Sequence, residues 1–384
     1  MRNVMKAATI EGKLPLLAVE GGCIISKDAD ITVVFRVELP ELFTVTHAEY
    51  EAIHAAWCKA VRVLPDYSVV LKQDWFIREQ YLPATGGEAS FLSRSYERHF
   101  NERPFLNHAC YLYLTKTTKE HTRMQSNFST LCRGHIIPKE INRDTARAFL
   151  EAVDQFERIM NDSGFVHLTR LTDNEITGTA GRPGLIEKYF ALSLDDTTSL
   201  QDMELRADGL RVGDKHVCLH TLSDTDDLPA RVGTDMRYEK LSTDRSDCLL
   251  SFAAPVGLLL SCDHIYNQWL FLDNSAENLQ RFEKQARNMH SLSRYSRSNQ
   301  INKEWLDQYL NEAHSFGLTS IRAHFNVVAW SDDPDELRRI RNDVGSQLAL
   351  MECRPRHNTV DAATLYWAAM PGNGGDFPAE ESFY

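Results

Sequence analysis

CIISKDADITVVFRV, residues 23–37, is the stretch whose reading decides the fold. CIIS and ITVVFRV are dense in β-branched and apolar residues, and KDAD between them carries turn chemistry, so the segment predicts a β-hairpin. A helix is expected next, because Thr46 and Glu49 form a capping box and Val45 and Tyr50 suit a hydrophobic staple. Tyr50, Ile53, Trp57, Ala60, Val61 and Leu64 recur at helical spacing until Pro65 stops the run. YSVVLKQDWFI (67–77) predicts a strand, residues 91–100 a short helix, and NHACYLYLT (107–115) another strand. A long helix is expected from near Asn142, with Ala146, Phe149, Leu150, Val153, Phe156 and Met160 on its buried face and Gly164 at its C-terminal cap. A strand at Phe165–Leu171 completes the order β-α-β-β-α-β once the short helix is set aside, the split βαβ or ferredoxin-like order.

Residues 173–250 are rich in Gly, Asp and Thr and read as a loop-rich region with short hairpins. They hold a short helix, GLIEKYFALS, turn pairs at Asp208-Gly209 and Gly213-Asp214, and a polar excursion over 223–247. Residues 251–384 return to a mixed pattern. Ile265–Leu272 predicts a strand, and Asn274 with Glu277 caps a helix carrying Leu279, Phe282, Ala286 and Met289. A second helix starts near Asn302, carries Leu306, Tyr309, Leu310, Ala313 and Phe316, and ends at Gly317. SIRAHFNVVAW (320–330) predicts a strand, and Pro334 followed by acids opens a last helix. The expectation is an α+β chain with mixed or antiparallel sheets. Two split βαβ modules, 1–172 and 251–384, would be joined by the loop-rich region 173–250.

Composition narrows the function. With 384 residues, 43% hydrophobic and 25% charged, the chain can bury sizeable cores without staples. A formal net charge of -12 repels phosphates at long range, so any nucleic-acid contact needs a local basic patch. The eight cysteines are scattered with no C-x-x-C pair, which argues against metal ribbons and redox motifs and predicts reduced thiols in a cytoplasmic setting. Glu11, Lys13 and Pro15 interrupt the opening segment, so no signal peptide is expected. The apolar run Leu249–Leu260 is far shorter than the ~20 residues of a membrane span and contains Pro255 and Gly257. It predicts one or two buried strands, and membrane association only through a partner.

No segment fits the phosphate-binding loop, whose glycines expose backbone N–H groups and whose lysine reaches the terminal phosphates. GTAGRPG (178–184) and PGNGGDFP (371–378) have the glycines without the lysine and read as turns. Asp263, which ends the apolar run within VGLLLSCDH, is placed like the acid that holds magnesium in ATPases, but has no phosphate loop to work with. KHVCLH puts His216, Cys218 and His220 on one face of a strand. That trio could seed a metal site, yet no fourth ligand is placed by sequence, which favours a packed or solvated strand face. No G-x-S-x-G or H-E-x-x-H pattern occurs. No catalytic, cofactor-binding or metal-ligating residue is therefore assigned. Arg281, Lys284, Arg287, Arg294, Arg297 and Lys303, with Tyr295 and Trp305 among them, could line a groove for single-stranded DNA or an acidic partner; the plainer reading is a charged helix face.

Several long segments carry a family resemblance: residues 22–46, 97–108, 125–134, 234–248, SRSNQINKEWLDQYLNEAH (296–314), NDVGSQLALMECRPRHNTV (342–360) and MPGNGGDFPAEESFY (370–384). Together they resemble the TraG proteins of conjugative transposons, the type IV secretion ATPases that power conjugative DNA transfer. In that family an amino-terminal α+β region precedes a RecA-like motor with the phosphate loop and magnesium-binding acid. The sequence stops at Tyr384 before any such loop. The resemblance therefore implies a segment without ATPase activity, with ATP and magnesium confined to the motor. It further implies docking at the cytoplasmic face of the inner membrane, type IV secretion subunits as partners, and homo-oligomerisation through the full-length protein. The alternatives are a single-stranded DNA-binding domain using the Arg281–Lys303 strip and an autonomous metal-dependent enzyme using His216 and His220.

Overall fold

A computed structural model describes residues 8–82, 90–119, 121, 129–132, 136–206, 209–222, 225–229, 231–292 and 295–378. A short helix α1 (Ile10–Lys13) leads into β1 (Leu16–Glu20), and the expected hairpin follows as β2 (Cys23–Ser26) and β3 (Ile31–Glu38). Gly21 and Gly22 make the β1–β2 turn, both at positive φ, which two-residue hairpin turns of this hand require. The capping box of α2 (His47–Arg62) forms, with Thr46 N–H donating to Glu49 Oε2 at 2.7 Å. Then come β4 (Ser68–Glu79), α3 (Phe91–Asn101), β5 (Phe105–Lys116), α4 (Arg143–Asp162) and β6 (His167–Arg170). A small unit follows: α5 (Asp173–Thr177), β7 (Gly178–Thr179), β8 (Arg182–Pro183) and α6 (Leu185–Ala191). The stretch read as loop-rich supplies three sheet strands, β9 (Met203–Arg206), β10 (Gly209–Val212) and β11 (Lys215–Leu222).

The buried strands expected over Leu249–Leu260 do not form. Only the two-residue β13 (Leu249–Leu250) pairs, with β12 (Met236–Arg237), and the rest turns into a π-helical segment at Pro255–Leu259. Pro255 has no N–H for a ladder and a fixed φ, so it starts the turn instead. The chain ends with β14 (His264–Leu272), α7 (Ser275–Leu292), α8 (Arg297–Phe316), β15 (Arg322–Ser331), α9 (Pro334–Leu350), β16 (Arg356–Asn358) and α10 (Ala362–Ala368).

The fold is α+β, built on one large antiparallel sheet ordered β1-β2-β3-β5-β4-β14-β15-β11-β10-β9, with β6 also beside β3 and β16 also beside β11. In the first half β3-α2-β4-β5-α4-β6 lays its strands down as β6-β3-β5-β4. In the second half β11, β14, β15 and β16 lie as β16-β11-β15-β14, the same order. The halves meet where β4 pairs with β14, from Ser68 opposite Leu272 to Phe76 opposite His264.

Alternation along the strands sorts side chains onto two faces. On one face α2 and α4 cover Val33, Phe35, Leu112 and Leu114 with Phe149, Val153 and Phe156, while α9 and the π-helical segment cover Cys218, Tyr266, Val327 and Ala329. The other face carries one core shared by both halves, with Trp75, Trp269 and Trp330 beneath Tyr189 and Phe190 of α6 and Tyr366 and Trp367 of α10. Burying aromatics of this size stabilises by roughly 1.5–3 kcal/mol each. Phe377, beyond α10, wedges against Trp269 (4.6 Å between centroids) and Phe271 (5.0 Å), so the segment after α10 is part of that core.

Candidate functional site

The residues singled out by sequence are dispersed by the fold. His216, Cys218 and His220 do share one face of β11, but Cys218 packs against Val327, Ala329 and Val344, where burial pushes its thiol up to about 12. His220 instead faces His357 of β16, its ladder partner, at 5.2 Å between rings. Among the described residues no group of three or more His, Cys, Asp or Glu side chains converges on a possible metal position. Asp263 accepts from Arg78 Nε at 3.1 Å and thereby ties the ends of β4 and β14. GTAGRPG forms the β7–β8 hairpin, and PGNGGDFP forms the buried turn after α10.

Of the basic strip, Arg281, Lys284 and Arg287 lie on α7 and Arg297 and Lys303 on α8, while Arg294 falls outside the described residues. Acids interleave with them: Glu277 binds Lys119, Glu283 binds His314 at 3.2 Å and Asp307 binds Lys303 at 3.7 Å. Alternating signs of this kind make a mixed helix face rather than a continuous phosphate track.

The structure also assembles features that sequence did not pick out. α3 interrupts the connection from β4 to β5, and the α7–α8 hairpin interrupts the equivalent connection from β14 to β15. Because β4 and β14 run antiparallel, the two projections leave the sheet at opposite ends. Both carry uncovered apolar side chains. On α3, Leu92, Tyr96 and Phe100 share one face at four-residue spacing, with Leu92 77% and Tyr96 61% exposed. On α8, Trp305 is 67% exposed and edges a cleft of about 570 Å³ lined also by Phe282, Met289, Leu306, Tyr309 and Ile321. Exposed apolar surface concentrated in this way marks interaction sites.

A second cleft, about 770 Å³, opens at the seam of the two halves between the Pro40–Phe43 loop, the strands β4, β5 and β14, and the π-helical segment. Its floor holds Asp74, bonded to Lys72 and to His108 Nε2 at 3.0 Å. Burial works to raise the Asp74 pKa, but Lys72 and His108 outweigh it and hold the carboxyl below the usual range. Phe76 is sandwiched between His108 and His264, 4.7 Å from each ring. Burial drives the Cys110 thiol well above its ordinary value and lowers His264 to about 4. The cleft thus offers a neutralised ion pair and an aromatic stack, with Cys110 held as a thiol; this suits binding better than nucleophilic chemistry.

Residues 3–55 match a family model described as "Domain of unknown function, B. Theta Gene description" (DUF3875). That stretch contains α1, the β1–β3 meander and the first turns of α2. No curated protein matches the chain. Among the described residues no helix is long and apolar enough to cross a membrane.

Proposed function

We propose that this chain is the assembly and docking region of a TraG-type conjugation ATPase, positioned at the cytoplasmic face of the inner membrane through partner subunits and hydrolysing no ATP by itself. The observation that carries the reading is the pair of apolar helical projections, α3 and α7–α8, leaving one broad sheet at opposite ends. Cores on both faces, one of them shared by the two halves, make the sheet a stiff mount, and the projections are where it can hold neighbours. The sequence segments that resemble TraG proteins support the same reading, and one of them, residues 296–314, is α8 itself with Trp305 near its middle.

The reading makes a direct prediction. Leu92→Glu combined with Tyr96→Glu, or Trp305→Glu alone, replaces exposed side chains and should leave the melting temperature nearly unchanged. Losing an apolar anchor at an interface costs about 2 kcal/mol or more, roughly thirtyfold in affinity. Conjugative DNA transfer should therefore fall at least about tenfold, and photo-crosslinkers at positions 92 and 305 should capture secretion subunits in donor cells. Unchanged transfer by both variants, or magnesium-dependent ATP turnover by the isolated chain, would remove the basis for the proposal.

A further inference from the structure

The second half of the sheet carries a polar cleft that the docking reading leaves without a task. Its floor is the ladder pair His220 and His357, and α9 crosses above with Arg341, Asn342, Gly345 and Ser346 lining the same space of about 600 Å³. Three observations mark it as a candidate ligand site. His220 is 4% exposed, and its Nδ1 is buried without any hydrogen-bond partner, although buried polar atoms are nearly always satisfied. Arg341 is exposed and makes no ion pair among the described residues, in a chain with a surplus of acids. Gly345 sits inside α9, where glycine weakens a helix, yet a Cβ there would meet nothing within 4 Å; its absence widens the mouth of the cleft.

The chemistry selects the ligand class. Burial, with Arg341 nearby, lowers His220 to about 4 and lowers His357, so both rings are neutral at pH 7 and each presents one N–H donor. The lining holds a guanidinium, two imidazoles, an amide and a hydroxyl, and no carboxylate. A metal cation would face Arg341 with no anionic ligand to offset it. An anion with several acceptor oxygens matches the fork of arginine and the added donors. We propose that the cleft between α9 and the β11–β16 pair binds a phosphate group, gripped by Arg341 with His357, His220 and Asn342 supplying further donors. The site does not depend on the docking reading, since it shares no residue with α3 or α7–α8. It also gives a role to NDVGSQLALMECRPRHNTV, which contains Asn342, Gly345, Ser346 and His357.

The test uses the whole chain and inorganic phosphate, following the histidine C2–H resonances by NMR, with the His357→Gln variant assigning one of them. The expected result is a saturable shift of the His357 signal with phosphate but not with chloride at equal ionic strength. Arg341→Gln, a change at an exposed position, should weaken phosphate binding by about tenfold or more. Competition by a single-stranded oligonucleotide would identify nucleic-acid backbone as the source of the phosphate, and failure to compete would identify a free or small-molecule phosphate. Equal shifts with chloride, or an affinity indifferent to Arg341→Gln, would overturn the proposal.

Discussion

Replacing His121 with glutamine is expected to remove about 3–5 kcal/mol of stability and to abolish a fall in stability on the alkaline side. His121 is 2% exposed, with Nδ1 2.8 Å from Asp30 Oδ2 and Nε2 3.7 Å from Asp376 Oδ1. Asp376 in turn accepts from Ser129 Oγ at 2.8 Å, from Thr130 N at 3.0 Å and from Thr130 Oγ1 at 2.7 Å, and Trp367 Nε1 donates to Thr130 Oγ1 at 2.7 Å. One imidazolium thus joins the β2–β3 turn, the Ser129–Thr130 segment and the segment after α10. Burial would lower the His121 pKa, but the two carboxylates outweigh it and push it up to about 10. Glutamine can hydrogen-bond one aspartate but cannot neutralise either, which leaves buried negative charge uncompensated.

The sign follows from linkage. The folded pKa of about 10 lies above the ordinary 6.5, so the native state binds more protons than the unfolded chain between those values. The stabilisation is complete below about pH 6.5 and is lost as pH rises through about 10. Denaturant melts at pH 6.5 and near pH 9.5 should show the wild-type midpoint falling across that window and His121→Gln holding a flatter, lower one. Equal slopes for the two proteins would mean that His121 is neutral in the folded chain.

Local signals carried much of the fold into view from sequence. The capping box at Thr46, the side-chain cap of Asn274 on Glu277 N–H, the stripe Phe149, Val153, Phe156 and Met160, and the alternation of β4 and β5 all report backbone hydrogen bonds and burial set within a few residues. The features missed depend on partners far away in the chain. The turn pairs at Asp208-Gly209 and Gly213-Asp214 did mark short hairpins, and β9 to β11 form them, but that these strands extend the large sheet through β11 beside β15 was not local information. The polar centre at Asp30, His121 and Asp376 spans most of the chain, so no spacing rule could have joined its members. α3 was readable as a helix, but that its Leu92 and Tyr96 face stays uncovered is a tertiary fact. His220 was legible as a strand residue alternating with Leu219; its opposition to His357 required the register of β16.

Gly184→Ala is the second substitution from which a large effect is expected, and it bears directly on how the glycine-rich motif 178–184 is to be understood. In a phosphate loop the glycines leave backbone N–H groups open toward a ligand. Here the two outer glycines face each other. A Cβ at Gly178 would stand 2.6 Å from Gly184 N and 2.9 Å from Arg182 O, and one at Gly184 would land on Gly178 N and Ile176 O. Gly184 N–H is already committed to Glu187 Oε2 at 3.0 Å, which starts α6. α6 carries Tyr189 and Phe190 into the shared core, where Tyr189 Oη donates to the Tyr366 carbonyl at 2.6 Å and Tyr366 Oη returns the bond at 2.9 Å. Backbone obstructs the alanine methyl, and neither flanking segment can yield without moving α6. A loss of about 3 kcal/mol or more is expected, at the upper end of what overpacking costs. Gly181 supplies the control within the same motif. It sits at φ 91° with nothing within 4 Å of a built Cβ, so Gly181→Ala should cost only the strain of a left-handed backbone, about 1–2 kcal/mol. A phosphate loop would reverse the consequences: the open, exposed Gly181 would be the position where a methyl group obstructs a ligand, and Gly184→Ala would alter binding before stability. Thermal melts of the two variants, with and without ATP and magnesium, separate the cases. A destabilised Gly184→Ala, a mildly affected Gly181→Ala and no stabilisation of either by nucleotide are the outcomes that a backbone crossing, built to seat α6 on the core, requires.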